Sequence, residues 1–112
     1  MESTRQKKVS RLIQKELSII FQKIGPELLT NVIISITIVR VSIDLSYAKV
    51  FLSIFPVKDP DIALRKIVEH KVNIRKKLGV RIKNQLRIVP DLQFHLDDSA
   101  SYAEEIDKLL KK

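Results

Sequence analysis

The sequence predicts an α+β fold in which helices cover one face of a three-stranded sheet. Three observations predict it. A long stretch with helical apolar spacing opens the chain. Two β-branched, alternating stretches follow, about five residues apart. A third alternating stretch arrives only after a long helical region. The predicted order is α-β-β-α-α-β, followed by a C-terminal helix over 98–112. With 112 residues, 45% of them hydrophobic, the chain reads as one domain spanning 1–112.

The first helix is expected from about Ser3 to Ile24. Val9, Leu12, Ile13, Leu17, Ile20, Phe21 and Ile24 recur at helical spacing and form one apolar stripe. Ser3 with Gln6 can form a capping box. Gly25-Pro26 is expected to stop the helix. Lys7, Lys8, Arg11 and Lys15 fall opposite the stripe and are expected to face solvent.

Two strands follow. From Val32 to Ser42 the chain is rich in β-branched residues, with Ile34, Ile36 and Ile38 expected on one face and Ser35, Thr37 and Val39 on the other. From Tyr47 to Phe55, Ala48, Val50, Leu52 and Ile54 alternate against Tyr47, Lys49, Phe51, Ser53 and Phe55. The short link between them favours an antiparallel hairpin. Tyr47, Phe51 and Phe55 form an aromatic stripe on the less aliphatic face. Base stacking is one reading of the stripe, and ordinary cross-strand packing is the favoured one.

Asp59-Pro60 opens the next helix, with Asp as N-cap and Pro at the first helical position. Ala63, Leu64, Ile67 and Val68 supply its buried face; Ile74, Leu78, Ile82 and Leu86 supply that of a second half. One straight helix would carry Lys71 and Arg75 inside the apolar arc, and a break between His70 and Asn73 relieves that conflict. Lys76, Lys77, Lys83 and Arg87 point away from the apolar stripe of the second half. Gly79 weakens that half by up to about 1 kcal/mol relative to Ala. Pro90 closes the region. Leu92, Phe94 and Leu96 then alternate with Gln93, His95 and Asp97 as a third strand, and Tyr102, Ala103, Ile106, Leu109 and Leu110 line one side of the last helix.

Charge narrows the class of partner. The net charge is +8. Residues 60–90 carry nine basic and two acidic groups, residues 1–24 carry six and two, and residues 91–112 are net acidic. An excess confined to two segments has the form of an electrostatic footprint for a polyanion. The catalytic inventory is thin. The chain contains no cysteine, so thiolate metal sites, disulfides and cysteine nucleophiles are excluded. His70 and His95 stand apart without a metal-spaced partner. The acidic pairs Asp97-Asp98 and Glu104-Glu105 are explained by helix capping and dipole compensation. Neither Gly25 nor Gly79 belongs to a phosphate loop. An enzyme, a cofactor and a metal site are therefore not expected. No apolar run approaches the roughly 20 residues of a membrane span, and the opening residues lack the apolar core of a signal peptide, so a cytoplasmic protein is expected.

The element order is that of a type II KH domain, although the usual Gly-x-x-Gly loop is absent. Four stretches carry a closer likeness. They are Arg5-Gln6-Lys7-Lys8-Val9 with Ile13, Glu16 and Leu17; Val41-Ser42-Ile43-Asp44-Leu45-Ser46-Tyr47-Ala48-Lys49-Val50 with Ser53; Ile74-Arg75-Lys76-Lys77-Leu78-Gly79 with Arg81; and Pro90-Asp91-Leu92-Gln93-Phe94 with Asp97-Asp98-Ser99. In that order and spacing they resemble the ribosome-binding factor A family, small-subunit assembly factors with a KH-like fold. One departure is visible. His70-Lys71-Val72 stands where the family usually has Ala-x-Gly between the two central helices.

The resemblance implies a monomeric assembly factor that binds the free small (30S) ribosomal subunit and 16S rRNA. It implies support for late 16S rRNA maturation, including 5′-end processing, with other assembly factors, among them a GTPase, as partners. The residues expected to meet rRNA phosphates are Lys7, Lys8, Arg11 and Lys15 on the first helix. Arg75, Lys76, Lys77, Arg81, Lys83 and Arg87 are expected to do so from the central region. The alternatives are a stand-alone KH-like RNA-binding module and a protein-interaction adaptor.

Overall fold

The computed structural model describes residues 2–97; the expected C-terminal helix over 98–112 lies outside them. The described elements are α1 (Thr4–Leu28), β1 (Ile33–Val41), β2 (Tyr47–Phe55), α2 (Pro60–Glu69), α3 (Lys71–Ile82) and β3 (Asp91–Leu96). The order matches the α-β-β-α-α-β expectation.

α1 begins as its sequence predicts. The Ser3 hydroxyl accepts from the Gln6 amide at 3.1 Å, and the Gln6 side chain accepts from the Ser3 amide at 2.8 Å. It ends later than predicted. Gly25 and Pro26 are both helical, and the helix runs on to Leu28 with Leu29 as C-cap. The Leu29 amide donates back to the Gly25 carbonyl at 2.9 Å. Continuing the helix seats Leu29, which is buried, and Leu28 against the core. That apolar burial outweighs the one backbone hydrogen bond that proline cannot donate.

β1 and β2 pair antiparallel, from Ile33 opposite Phe55 to Val41 opposite Ala48. Ala48, Val50, Leu52 and Ile54 are all buried, as the alternation of β2 requires. β1 departs from simple alternation. A bulge at Thr37 shifts the register, so that Ile36 faces Leu52 but Ile38 faces Phe51. One extra residue flips every later side chain to the other face. Val39 and Val41 therefore enter the core, and Ile38, expected inside with Ile34 and Ile36, is 41% exposed. Side chains hold the bulge. The Thr37 hydroxyl donates to the Phe51 carbonyl at 3.2 Å, and the Gln14 amide of α1 donates to the carbonyls of Ile36 and Thr37. Further along β1, the buried Gln6 amide donates to the Val41 carbonyl at 2.9 Å.

The link from β1 to β2 is a turn built on Ser42, Asp44 and Ser46. One Asp44 carboxylate oxygen accepts from the Ser46 hydroxyl (2.7 Å), the Ser42 hydroxyl (2.8 Å) and the Ser46 amide (3.1 Å). The two hydroxyls, Ser46 first, and the Ser46 amide hold the exposed Asp44 carboxyl below its ordinary value of 3.8. Leu45 takes a positive φ of 61°. The Ser46 carbonyl accepts from the Asp91 amide at 2.9 Å, so this turn also sets where β3 begins.

β3 pairs parallel with β2, giving the sheet order β1-β2-β3. A parallel partner needs a crossover, which α2 and α3 supply. Asp59 caps α2 through the Ile62 amide at 3.2 Å, with Pro60 at its first position. Ala63 and Ile67 are buried and Leu64 packs beside them, but Val68, expected on the buried face, is 45% exposed. The helices break at His70, within the expected span. The break falls at His70 with negative φ (−98°, ψ 10°), and Val72, which stands at the family's glycine position, is helical within α3, so neither position requires a glycine. Rotation at the break lets Ile74, Leu78 and Ile82 point fully inward while Arg75 stays exposed. Leu86 does not continue that helical face, because α3 ends at Ile82 and the chain turns through 83–85 to reach β3. Gly79 has a packing reason. A Cβ there would stand 3.2 Å from Val89 of the connecting segment, tighter than most carbon contacts.

The buried residues of all three helices and of one sheet face form a single cluster, in which Phe21 and Phe94 meet edge-on at 6.1 Å. The opposite sheet face carries no helix of the described residues.

Two outcomes follow. Gln6→Leu should destabilise the fold by about 1–3 kcal/mol in urea denaturation, because the Val41 carbonyl loses its donor and the capping box loses one arm. The Asp44 turn should carry a pH signature. A lowered folded value contributes stability that is complete above 3.8 and is lost as the pH falls through the folded value. Thermal melts should therefore show wild type more stable than Asp44→Asn near neutrality, with the gap closing in acid.

Candidate nucleic-acid interface

Every cationic residue singled out from the sequence is exposed: Lys7, Lys8, Arg11, Lys15, Arg75, Lys76, Lys77, Arg81, Lys83 and Arg87. The structure does not gather them into one patch. It divides them among three places.

The first is the outward side of α1. Lys7, Lys8, Arg11 and Lys15 lie there, away from the buried line Val9, Ile13, Leu17 and Ile20. None of them lines the three grooves described below.

The second is the junction of α1 with α3. Arg81 of α3 pairs with Glu16 of α1 and ties the two helices together. Beside this pair, a groove of about 250 Å³ is lined by Ile20, Lys23, Ile24, Lys77, Val80 and Arg81. Lys23 was missed by sequence reasoning, yet its signal was present. It lies seven residues after Glu16, close to two helical turns, and so on the same flank of α1. That flank adjoins the apolar stripe, whereas Lys7, Lys8, Arg11 and Lys15 lie opposite it.

The third place is built around the segment joining α3 to β3. The Arg75 guanidinium donates to the Val89 carbonyl at 2.7 Å and to the Pro90 carbonyl at 3.1 Å. Lys71 pairs with Asp91 at 3.1 Å. These contacts lace α3 to the start of β3 and fix the segment that carries Arg87 and the exposed Ile88. Two shallow grooves flank the lacing. One, about 410 Å³, is lined by Lys71, Val72, Arg75, Lys76, Gly79, Val89 and Asp91. The other, about 360 Å³, brings Arg5 of α1 to Arg75 and Arg87 over the Asp44 turn. Arg5 was noticed in the sequence only as part of a motif. Eleven residues before Glu16, about three turns, it shares that helix flank. Arg87 and Lys83 lie beyond α3, not on its helical face as expected; Lys83 is its C-cap.

The surface so formed is cationic and shallow, and two of its acids are ion-paired while a third, Asp44, is held in its turn by hydrogen bonds and keeps its charge. Glu16 pairs with Arg81, Asp91 with Lys71, and Asp44 with the two serines of its turn. Such a surface can hold phosphates by charge and by guanidinium forks. Among the described residues there is no cluster of three or more His, Cys, Asp or Glu positioned to hold a metal ion. No helix of the described residues is long and apolar enough to cross a membrane.

The fold and these surfaces define a KH-like α+β binding protein. The model of the family described as "Ribosome-binding factor A" matches residues 5–110. Ribosome-binding factor A of Cytophaga hutchinsonii is 50% identical over 112 residues, covering 100% of this chain and 84% of that protein. The corresponding protein of Christiangramia forsetii is 42% identical over 111 residues, covering 98% and 85%. The chain belongs to the ribosome-binding factor A family, which is a family of ribosome-binding factors and not of enzymes. Solved structures agree on the fold. The crystal structure of ribosome-binding factor A from Thermus thermophilus superposes with a TM-score of 0.68 at 21% identity, covering 81% of this chain and 94% of that one. A homology model of Thermus thermophilus ribosome binding factor A, as fitted into the cryo-EM map of a 30S complex with that factor, gives a TM-score of 0.61 at 20% identity, covering 88% and 97%.

The Glu16–Arg81 pair makes a prediction about this surface. Arg81 is about a third exposed, Glu16 is mostly covered, and glutamine keeps an acceptor for the guanidinium, so Glu16→Gln should cost no more than about 1–2 kcal/mol of stability. The same change frees Arg81 and removes a negative charge beside Lys23 and Lys77. RNA binding measured by filter retention at low salt should become tighter.

Proposed function

We propose that this protein binds the free 30S ribosomal subunit through 16S rRNA and supports late maturation of that RNA, including processing at its 5′ end. The observation that carries the reading is the joining of cations from α1, α3 and the segment before β3 around shallow grooves, with Glu16 and Asp91 ion-paired to Arg81 and Lys71. Family membership and the likeness to a protein fitted into a 30S complex support the choice of partner. Such a factor acts in the cytoplasm, as a single domain and a monomer, and leaves before translation. Other assembly factors, a GTPase among them, are its expected companions.

The mechanism is backbone recognition. Lys76, Lys77, Lys83 and Arg87, with Lys7, Lys8, Arg11 and Lys15 on the other surface, meet phosphates and confer affinity more than sequence readout. Arg75 and Arg81 have a different part. Their guanidiniums are committed to the Val89 and Pro90 carbonyls and to Glu16, so they position the surface first and add charge second. Binding one rRNA arrangement better than its competitors shifts the RNA toward that arrangement.

Replacing Lys76, Lys77 and Lys83 together by Glu should leave the melting temperature within a few degrees, because all three are exposed. The same variant should no longer co-sediment with free 30S subunits. Co-sedimentation at wild-type levels would remove this surface from the interface. Wild-type affinity should fall steeply with salt, as counterion release requires.

A further inference from the structure

We propose that the sheet face opposite the helices of the described residues is a second RNA site, a platform on which unpaired bases of a single strand stack. The inference rests on the preceding reading only in taking RNA as the ligand; the surface is a different one.

The face is composed by register. Across the three strands, Ile38, Phe51 and His95 form one row, and Arg40, Lys49 and Gln93 form the next. Phe55 lies on the same face of β2 beyond Ser53, and Tyr47 lies at its other end. The helices pack on the opposite side, against Ala48, Val50, Leu52, Ile54, Leu92 and Phe94.

Three features point to single-stranded nucleic acid. First, the aromatic groups are available. Phe55 is 72% exposed and Tyr47 39% exposed, so cross-strand packing does not account for them as the sequence suggested. Second, Phe51 and His95 already lie in a tilted stack, with ring centroids 5.4 Å apart and planes 30° from parallel. A base adds to such a pair by its own π-face. Third, Arg40 stands directly opposite Lys49 in the strand register. Like charges so placed destabilise a sheet. A phosphate between them reverses the sign of that interaction, and the nearest acid on β3, Asp91, is held by Lys71. Cations set between aromatic side chains, with every second residue about 6.6 Å further along the strand, suit alternating base and phosphate. A protein partner of purely apolar character would have to bury both cations without a counter-charge.

The test uses the full chain and fluorescence anisotropy. The probes are a mixed-sequence single-stranded RNA oligonucleotide and a blunt RNA duplex of equal length. Tyr47→Ala with Phe55→Ala should weaken single-strand binding by roughly five-fold or more and leave duplex binding unchanged. Lys49→Thr should also weaken single-strand binding, lowering the slope of log affinity on log salt by about 0.7. Its melting temperature should be no lower than wild type, because the like-charge pair is gone. A loss of affinity without loss of stability separates a ligand contact from a structural one. Unchanged single-strand affinity in both variants overturns the proposal, and so does an equal loss on the duplex. A wild-type protein that binds the duplex but not the single strand overturns it while leaving the helical surface standing. Binding of neither overturns the proposal, and co-sedimentation with 30S subunits then decides the helical surface on its own. If the variants lose 30S co-sedimentation with single-strand affinity intact, the face belongs to a ribosomal protein and the proposal fails.

Discussion

The parallel pairing of β2 with β3 is the constraint on which this molecule is organised. Antiparallel strands can be joined by a tight turn, but parallel ones need a crossover long enough to return the chain to the same end of the sheet. Residues 56–90 make that return. α2 and α3 bury Ala63, Ile67, Ile74, Leu78 and Ile82 into the cluster that α1 shares. All three helices therefore lie on one side of the sheet. The crossover also brings the most basic stretch of the chain alongside α1, and it leaves the other sheet face without a helix among the described residues.

The motif residues separate into those that make the scaffold and those that are free to bind. Ser42, Asp44 and Ser46 close a turn, and the Ser46 carbonyl receives the first amide of β3. Ala48 and Val50 are core. Arg75 grips two carbonyls, and Gly79 makes room for Val89. The stretches that identify the family are thus largely about building the junction between the turn, α3 and β3. The binding cations stand on that junction. Ion pairing of Glu16 and Asp91 favours their affinity for a polyanion, because an unpaired carboxylate among them opposes a phosphate.

Much of the fold was legible in the sequence because its signals are local. The capping box at Ser3, the Asp59-Pro60 start and the alternation of β2 each depend on residues a few positions apart. The misreadings share one origin, which is that distant contacts overrode a local signal. Gly25-Pro26 reads as a stop, but Leu28 and Leu29 gain a core by staying helical. Ile38 reads as buried, but Thr37 bulges and Gln14, more than twenty residues earlier, supplies donors for the exposed carbonyls. Leu86 reads as a continuation of the Ile82 face, but the chain must leave the helix to start β3. The surface was half legible. Exposure of the cations followed from helical periodicity. The recruitment of Arg5 and Lys23 did not, since both lie on the flank of α1 that only packing against α3 defines.

The sequence by itself determined the composition of each layer: which helix face is apolar, which strand positions alternate, and that positive charge concentrates in 1–24 and 60–90. Periodicity and charge are properties of neighbours along the chain, so they survive without a fold. Tertiary structure alone decided which cations share a groove, which are tied down, and which sheet face the described helices cover. Those depend on the direction in which β3 pairs and on a one-residue slip at Thr37, and both are settled by contacts between residues far apart in the chain.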